Sequence, residues 1–178
     1  MQIAEEARGP IDRGEYQKVF ALTLKVAVPA GYIWLTIFYC MFHSYLNLFA
    51  ELTRFGDRRF YSDWWNANDL GEYWRKWNMP IHNFLIRHVY YSSRRRNISA
   101  ANSMLLTFFL SAVFHEYIMI GVIQKCNFMA FFLMMANVPV IILQRQLKNV
   151  ISGRTNNVLF WLCYIVLGQP FAILYSYY

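Results

Sequence analysis

The sequence predicts an all-α fold: a polytopic bundle of transmembrane helices whose long loop carries amphipathic interfacial helices. Three observations predict it. Hydrophobic letters make up 57% of the 178 residues and charged ones 15%, against about 25% charge in an ordinary soluble domain. The apolar residues collect into runs at 26–50, 104–123, 128–143 and 158–178, and about 20 such residues cross a bilayer core as a helix. Between the first two runs, aromatic residues recur at helical spacing among charges. With no internal repeat, low-complexity tract or Gly/Ser-rich linker, residues 1–178 read as part of one bundle.

Taken in order, the N-terminal segment carries "EEARGPID" where a signal peptide would place an apolar stretch. Either an internal span directs insertion or further chain precedes it. The run 26–50 is the first span, broken only by Thr36, His43, Ser44 and Asn47. In lipid such a helix satisfies its own backbone groups, whereas in water it would need a covering partner; a soluble bundle of buried helices is the alternative. Residues 51–103 form a loop with nine Lys/Arg, the stretch 144–157 has three, and the link 124–127 has only Lys125. Basic loops favour the cytosol, which places 51–103 and the region of Arg145 there and Lys125 on the far side.

Inside the loop, Asn68 or Asp69 can cap a helix whose apolar residues Leu70, Tyr73, Trp74 and Trp77 fall at i, i+3, i+4 and i+7. Pro80 is expected to push Met79 out of the helical region. A second pattern sets Ile81, Phe84, Leu85 and His88 on one face and Asn83 and Arg87 on the other, as suits a helix lying apolar face down on a membrane. The tryptophans Trp64, Trp65, Trp74 and Trp77 suit interfacial anchoring. Anchoring does not account for Asp63, Asn66 and Asn78 among the rings; they read as the lining of something polar. The net charge of +7 resides beside the spans, so anionic headgroups explain Arg94 to Arg96 better than nucleic acid does.

The run 104–123 holds "SAVFHEY" at its middle. An ionisable residue in lipid costs several kcal/mol, roughly, and by default marks a functional site. A neutral histidine bonded between helices is the structural alternative for His115. Glu116 points about 100° away, so it either joins the chemistry or orders a neighbouring helix. His43, His82, His88 and His115 are too dispersed for a di-iron cluster, and Cys40, Cys126 and Cys163 form no Cys-x-x-Cys pair. There is no Gly-x-Ser-x-Gly elbow, P-loop or Gly-x-Gly-x-x-Gly fingerprint. A buried base without nucleophile or metal suits activating a hydroxyl supplied by a substrate. A proton relay in a transporter or a non-catalytic binder is the rival class.

"FYSDWWN" at 60–66, "WNMPIHNF" at 77–84 and "SAVFHEY" at 111–117 together resemble the membrane-bound O-acyltransferase family. The nearest branch holds acyl-CoA:diacylglycerol and acyl-CoA:sterol O-acyltransferases, and the resemblance covers roughly 24–177, the C-terminal part of a longer protein. It implies that His115 is the catalytic histidine, Asn78 a second active-site residue and Glu116 its companion. It further implies that Phe60, Tyr61, Asp63, Trp64, Trp65 and Asn66 bind acyl-CoA and that Gln169 lines the reaction chamber. Acyl-CoA would be co-substrate, with no cofactor and no metal, in a multi-pass protein of the endoplasmic reticulum membrane; a homo-oligomer is left open. "GQP" at 168–170 and the compact link from Arg87 to His115 lean towards diacylglycerol as acceptor, while "RHVYYSS" and "LTFFLSA" resemble sterol enzymes.

Overall fold

The computed structural model describes residues 2–147 and 150–170, and every regular element among them is helical. Helix α1 (Gln2–Asp12), which the sequence reading did not anticipate, folds back so that Ala7 packs on Leu22 beside Ile11 and Val26. The chain reverses through Gly14, whose φ of +66° lies where glycine is favoured.

A single helix then runs from Tyr16 to Thr53. It comprises α2 (Tyr16–Phe38), a π-helical stretch (Tyr39–Tyr45) and α3 (Leu46–Thr53). The expected span 26–50 lies inside it; the helix starts earlier because Lys18 and Lys25 end an apolar run without ending a helix. At about 57 Å it exceeds a bilayer core of about 30 Å, so it must tilt or project. Arg54, at φ 55°, closes it, and the Phe55 N–H bonds to the Ala50 carbonyl at 2.8 Å.

Residues 51–103 are largely helical too. After a 3₁₀ turn (Trp64–Asn66), Asp69 caps α4 (Leu70–Trp77) by accepting the Glu72 N–H at 2.6 Å. Next comes α5 (Met79–Leu85), and the residue out of helical geometry is Asn78, at φ −141° and ψ 85°, not Met79. Pro80 falls in the first turn of α5, where its missing N–H needs no partner, so the break moves one residue earlier than expected. A π-helical stretch (Ile86–Tyr90) leads into α6 (Tyr91–Arg95).

Helix α7 (Ala100–Ile123) starts at Ser99, whose hydroxyl accepts the Asn102 N–H, and stops at Gln124 in left-handed geometry. A short turn brings α8 (Met129–Leu147) back along it, through Pro139. Helix α9 (Gly153–Phe160) continues into a π-helical stretch (Trp161–Gly168). Among the described residues, three helices are long and apolar enough to cross a membrane: Tyr16–Thr53, Ala100–Val122 and Met129–Leu147, with mean hydropathies of 1.5, 1.7 and 1.4. The expected fourth span is helical as far as residue 170; its remainder, 171–178, lies outside the described residues.

The core is aromatic. Phe38, Trp64, Ala67, Leu70, Tyr73, Ile141 and Phe160 are buried together, flanked by rings that include Trp34, Trp74 and Trp77. The apolar face of α4 therefore packs on protein rather than lying on lipid. Its stripe was legible; what it would rest on was not.

Candidate active site

Under α4 and α5 the helices enclose a cavity of about 710 Å³. One face of α7 lines it from Ala100 through Met104, Thr107, Phe108 and Ser111 to His115, a run of about 22 Å. Across from it stand Trp74, Asn78, His82 and Tyr90 from the loop helices and Met134 and Arg145 from α8. His115 and Asn78, nominated from separate motifs, thus share one chamber.

The geometry assigns the histidine a tautomer. Nδ1 of His115 lies 2.7 Å from the Ser111 carbonyl oxygen, which can only accept, so Nδ1 carries the proton and Nε2 keeps its lone pair. Trp74 sets its ring at 86° to the imidazole, with centroids 6.3 Å apart, and its indole N–H donates to Asn137 Oδ1 at 3.2 Å. A loop helix is thereby fastened to α8 beside the base. Asn78 works at the α4–α5 corner: its Oδ1 accepts the Ile81 N–H at 3.2 Å, and its amide N–H groups make no bond among the described residues. His115 consequently offers the chamber an unprotonated nitrogen, and Asn78 an uncommitted amide donor.

Glu116 has a different task. Buried at 5% exposure, its carboxylate accepts the Phe128 N–H at 2.8 Å and the Phe131 N–H at 3.2 Å, with the Cys126 thiol at 3.9 Å. It holds the turn into α8 and is absent from the cavity wall, the placement expected of a residue that orders the neighbouring helix. Removing it strands two backbone donors. Glu116→Ala is expected to lower stability by about 2 kcal/mol, and Glu116→Gln, which keeps one acceptor oxygen, by less; thermal unfolding in detergent checks both.

None of the residues 60–66 lines the cavity. Phe60 is buried, its carbonyl accepting the Met79 N–H at 3.0 Å, while the Ser62 N–H bonds to the Lys76 carbonyl at 2.9 Å. The Tyr61 hydroxyl lies 3.0 Å from Nδ1 of His43. Trp65 offers its carbonyl to Asn157 and Trp161, and Asn66 closes the 3₁₀ turn on the Asp63 carbonyl. Trp64, 2% exposed, stands at the centre of the aromatic core. This segment braces the corner that carries Asn78. Gln169 also lies off the cavity, and the Tyr164 hydroxyl accepts from Tyr73 at 3.1 Å.

An ion-pair fork completes the brace. Lys76 Nζ reaches Asp63 at 2.9 Å and Glu72 at 2.8 Å, and the Asn68 N–H donates to Glu72 at 2.8 Å. The Lys76 and Ser62 hydrogen bonds hold the Asp63 carboxyl below its ordinary value. For Glu72, burial works upward but the bonds from Lys76 and Asn68 outweigh it, so it too is lowered. Folded carboxyls with lowered values bind fewer protons than unfolded ones, so their contribution is complete above the unfolded values of 3.8 and 4.5 and fades as the pH falls through the folded ones. Tryptophan emission is expected to report loosening of 60–66 below about pH 4, and Lys76→Met to flatten that acid response.

Reasoning from sequence missed His82, Ser111, Asn137 and Arg145. Ser111 stands one turn before His115, a spacing that would have found it. His82 is held below the ordinary imidazole range by burial and by the Arg75 guanidinium, so it presents a neutral ring to the cavity.

Comparison with known proteins shows the family. The profile described as MBOAT, membrane-bound O-acyltransferase family, matches residues 10–177. The chain is 44% identical over 155 residues to diacylglycerol O-acyltransferase 1C of Glycine max, covering 86% of this chain and 30% of that protein. It is 40% identical over 176 residues to diacylglycerol O-acyltransferase 1 of Corylus americana (98% and 32%), and 38% identical over 178 residues to the protein of that name from Dictyostelium discoideum (99% and 28%). It spans about a third of the length of these curated relatives. With a histidine and an asparagine facing one cavity among membrane-length helices, the chain belongs to the membrane-bound O-acyltransferase family.

Proposed function

We propose that the protein carrying this chain transfers an acyl group from acyl-CoA to the free hydroxyl of diacylglycerol, forming triacylglycerol in the endoplasmic reticulum membrane. The observation that carries the reading is His115 in the cavity with Nδ1 committed to the Ser111 carbonyl, which leaves Nε2 as the proton acceptor. Nε2 takes the hydroxyl proton as the oxygen attacks the thioester carbonyl. An amide N–H of Asn78 donates to the carbonyl oxygen as negative charge gathers there. The carbon–sulfur bond breaks, the CoA thiolate leaves, and the imidazolium returns the proton to sulfur. No cofactor is required, because acyl-CoA is itself the co-substrate.

Diacylglycerol is preferred to a sterol because the relatives cited above carry that acceptor in their names. Holding both substrates in one enclosed chamber supplies the orientation that a base alone does not. The test is to supply the full-length protein, in membranes, with labelled oleoyl-CoA and either diacylglycerol or a sterol. Label is expected in triacylglycerol; label in steryl ester alone would overturn the choice of acceptor, and label in neither would overturn acyl transfer.

A further inference from the structure

The link between α6 and α7, residues 96–99, contributes nothing to the cavity wall. Its surroundings are strongly basic. Arg94, Arg95 and Arg96 stand in a row, and no Asp or Glu occurs anywhere from 73 to 115. All three arginines are exposed, Tyr91, Arg94 and Arg95 line an open depression of the surface, and none of the three forms an ion pair among the described residues. Three residues beyond the last of them is Ser99, also exposed, with backbone angles of φ −59° and ψ 155°. Those angles belong to an extended, polyproline-like chain. The Ser99 hydroxyl oxygen accepts the Asn102 N–H at 3.2 Å, which leaves the hydroxyl proton uncommitted.

A serine preceded at three, four and five residues by arginine carries the charge pattern that an acidic kinase groove selects. Such a groove takes its peptide extended, so the backbone around the acceptor must be able to leave the fold. Around Ser99 it can. The Arg96 and Ile98 N–H groups bond to the Ser93 carbonyl, the Asn97 N–H to the Arg94 carbonyl, and Arg94 Nη1 to the Ile98 carbonyl, all within the segment itself. Helix α6 has five residues, and a helix so short is unwound at little cost. The same spacing recurs where Arg58 and Arg59 precede Ser62, but there the segment is tied down. The Ser62 N–H bonds to the Lys76 carbonyl, the Phe60 carbonyl accepts the Met79 N–H, and the Ser62 hydroxyl donates to Asp63. Asp63 also sets a carboxylate next to the acceptor, which an acidic groove repels.

We propose that Ser99 is a phosphorylation site for an arginine-directed serine/threonine kinase, and that the phosphate opposes entry of acyl-CoA. The Ser99 hydroxyl oxygen attacks the γ-phosphorus of ATP, the bond from that phosphorus to the bridging oxygen breaks, ADP leaves, and a base of the kinase takes the hydroxyl proton. Basic loops favour the cytosol, which places 51–103 on the side that holds ATP. Ala100 and Ala101, the next two residues, line the cavity. A charge of about −2 on Ser99 therefore stands at the rim, beside Arg94 to Arg96, and cancels much of their positive field. An anionic substrate then arrives against a weaker attraction. The effect on acyl-CoA rests on the acyl-transfer reading, whereas the modification itself does not.

The experiment treats the full-length protein, in nanodiscs of neutral lipid, with labelled ATP and the catalytic subunit of cyclic-AMP-dependent kinase, an arginine-directed enzyme, and locates the label by peptide mass spectrometry. Label is expected on Ser99 and not on Ser62. It should vanish from this segment in Ser99→Asn, which keeps a capping oxygen but has no hydroxyl, and fall roughly tenfold on Ser99 when Arg94, Arg95 and Arg96 are all replaced by Gln. An unlabelled Ser99, or labelling undiminished by loss of the arginines, would overturn the site. Steady-state kinetics then compare treated with untreated protein. The KM for acyl-CoA is expected to rise roughly fivefold in wild type at unchanged kcat and to stay constant in Ser99→Asn. Label on Ser99 with an unchanged KM would overturn the effect on entry. Should the triple Gln variant not fold, wild type and Ser99→Asn decide the matter, with a thermal melt to show that the latter is folded. A wild type labelled at Ser99 that transfers no acyl group even before treatment would sink the acyl-transfer reading and leave the modification site standing.

Discussion

Acyl transfer by the full-length protein is expected to fall by about 10²–10⁴-fold when His115 is replaced by alanine. The size of the loss follows from what the structure gives the imidazole and nothing else in the chamber. The Ser111 bond leaves Nε2 as the free lone pair of a ring that lines the cavity, and that bond is to a backbone carbonyl, which no side-chain substitution removes. His82 also lines the cavity, but it sits beside Arg75, where taking up a proton is opposed by a like charge. It is not expected to substitute. The effect should fall on kcat, because a proton acceptor acts in the transition state while binding of both substrates rests on other walls. A His115→Ala protein with near-normal kcat on labelled acyl-CoA would remove the general base from the mechanism.

Replacing Trp64 by alanine is expected to lower stability by about 3–5 kcal/mol, with the Michaelis constant for acyl-CoA of the surviving folded protein unchanged. The ring touches Trp34, Phe38, Trp65, Tyr73, Trp77 and Trp161, at centroid separations from 5.1 to 6.0 Å. Deleting it leaves a void that six large side chains cannot close without giving up their own contacts. Trp64→Phe should cost less, since the buried indole N–H has no partner and its removal relieves an unmet donor. A thermal melt in detergent checks the first claim and steady-state kinetics the second. A variant that melts like wild type but binds acyl-CoA poorly would return this residue to the ligand site.

These two expectations mark where the sequence was informative. His115 was legible because lipid makes an ionisable residue conspicuous. Asn78, Asp63 and Asn66 stood out as polar groups among rings, their roles came from family resemblance, and the structure separates them: Asn78 lines the cavity and the segment 60–66 does not. The reason is geometric. A stripe at i, i+3, i+4 and i+7 says that α4 has an apolar face but not whether protein or bilayer meets it, so Trp74 and Trp77 read as anchors although they flank the core. Glu116 was ambiguous because its partners, Phe128 and Phe131, lie across a turn that no local pattern reports. Arg145 was invisible as a site residue because a basic residue near the end of an apolar run reads as a marker of sidedness. The start of the first long helix was misplaced because hydropathy measures preference for lipid, and a helix needs only backbone geometry to continue.

Asn78 ends one helix, starts the next and faces the chamber with the same side chain. An amide has two unlike ends, and here the fold uses the oxygen for itself, which obliges the nitrogen to look towards whatever occupies the space. Rotating the group by half a turn would undo the bend of the chain and turn a lone pair into the cavity at once. The polarity of this part of the chamber is in this way locked by the architecture of a corner, and the chain cannot fold that corner properly while turning the other end of the amide into the cavity.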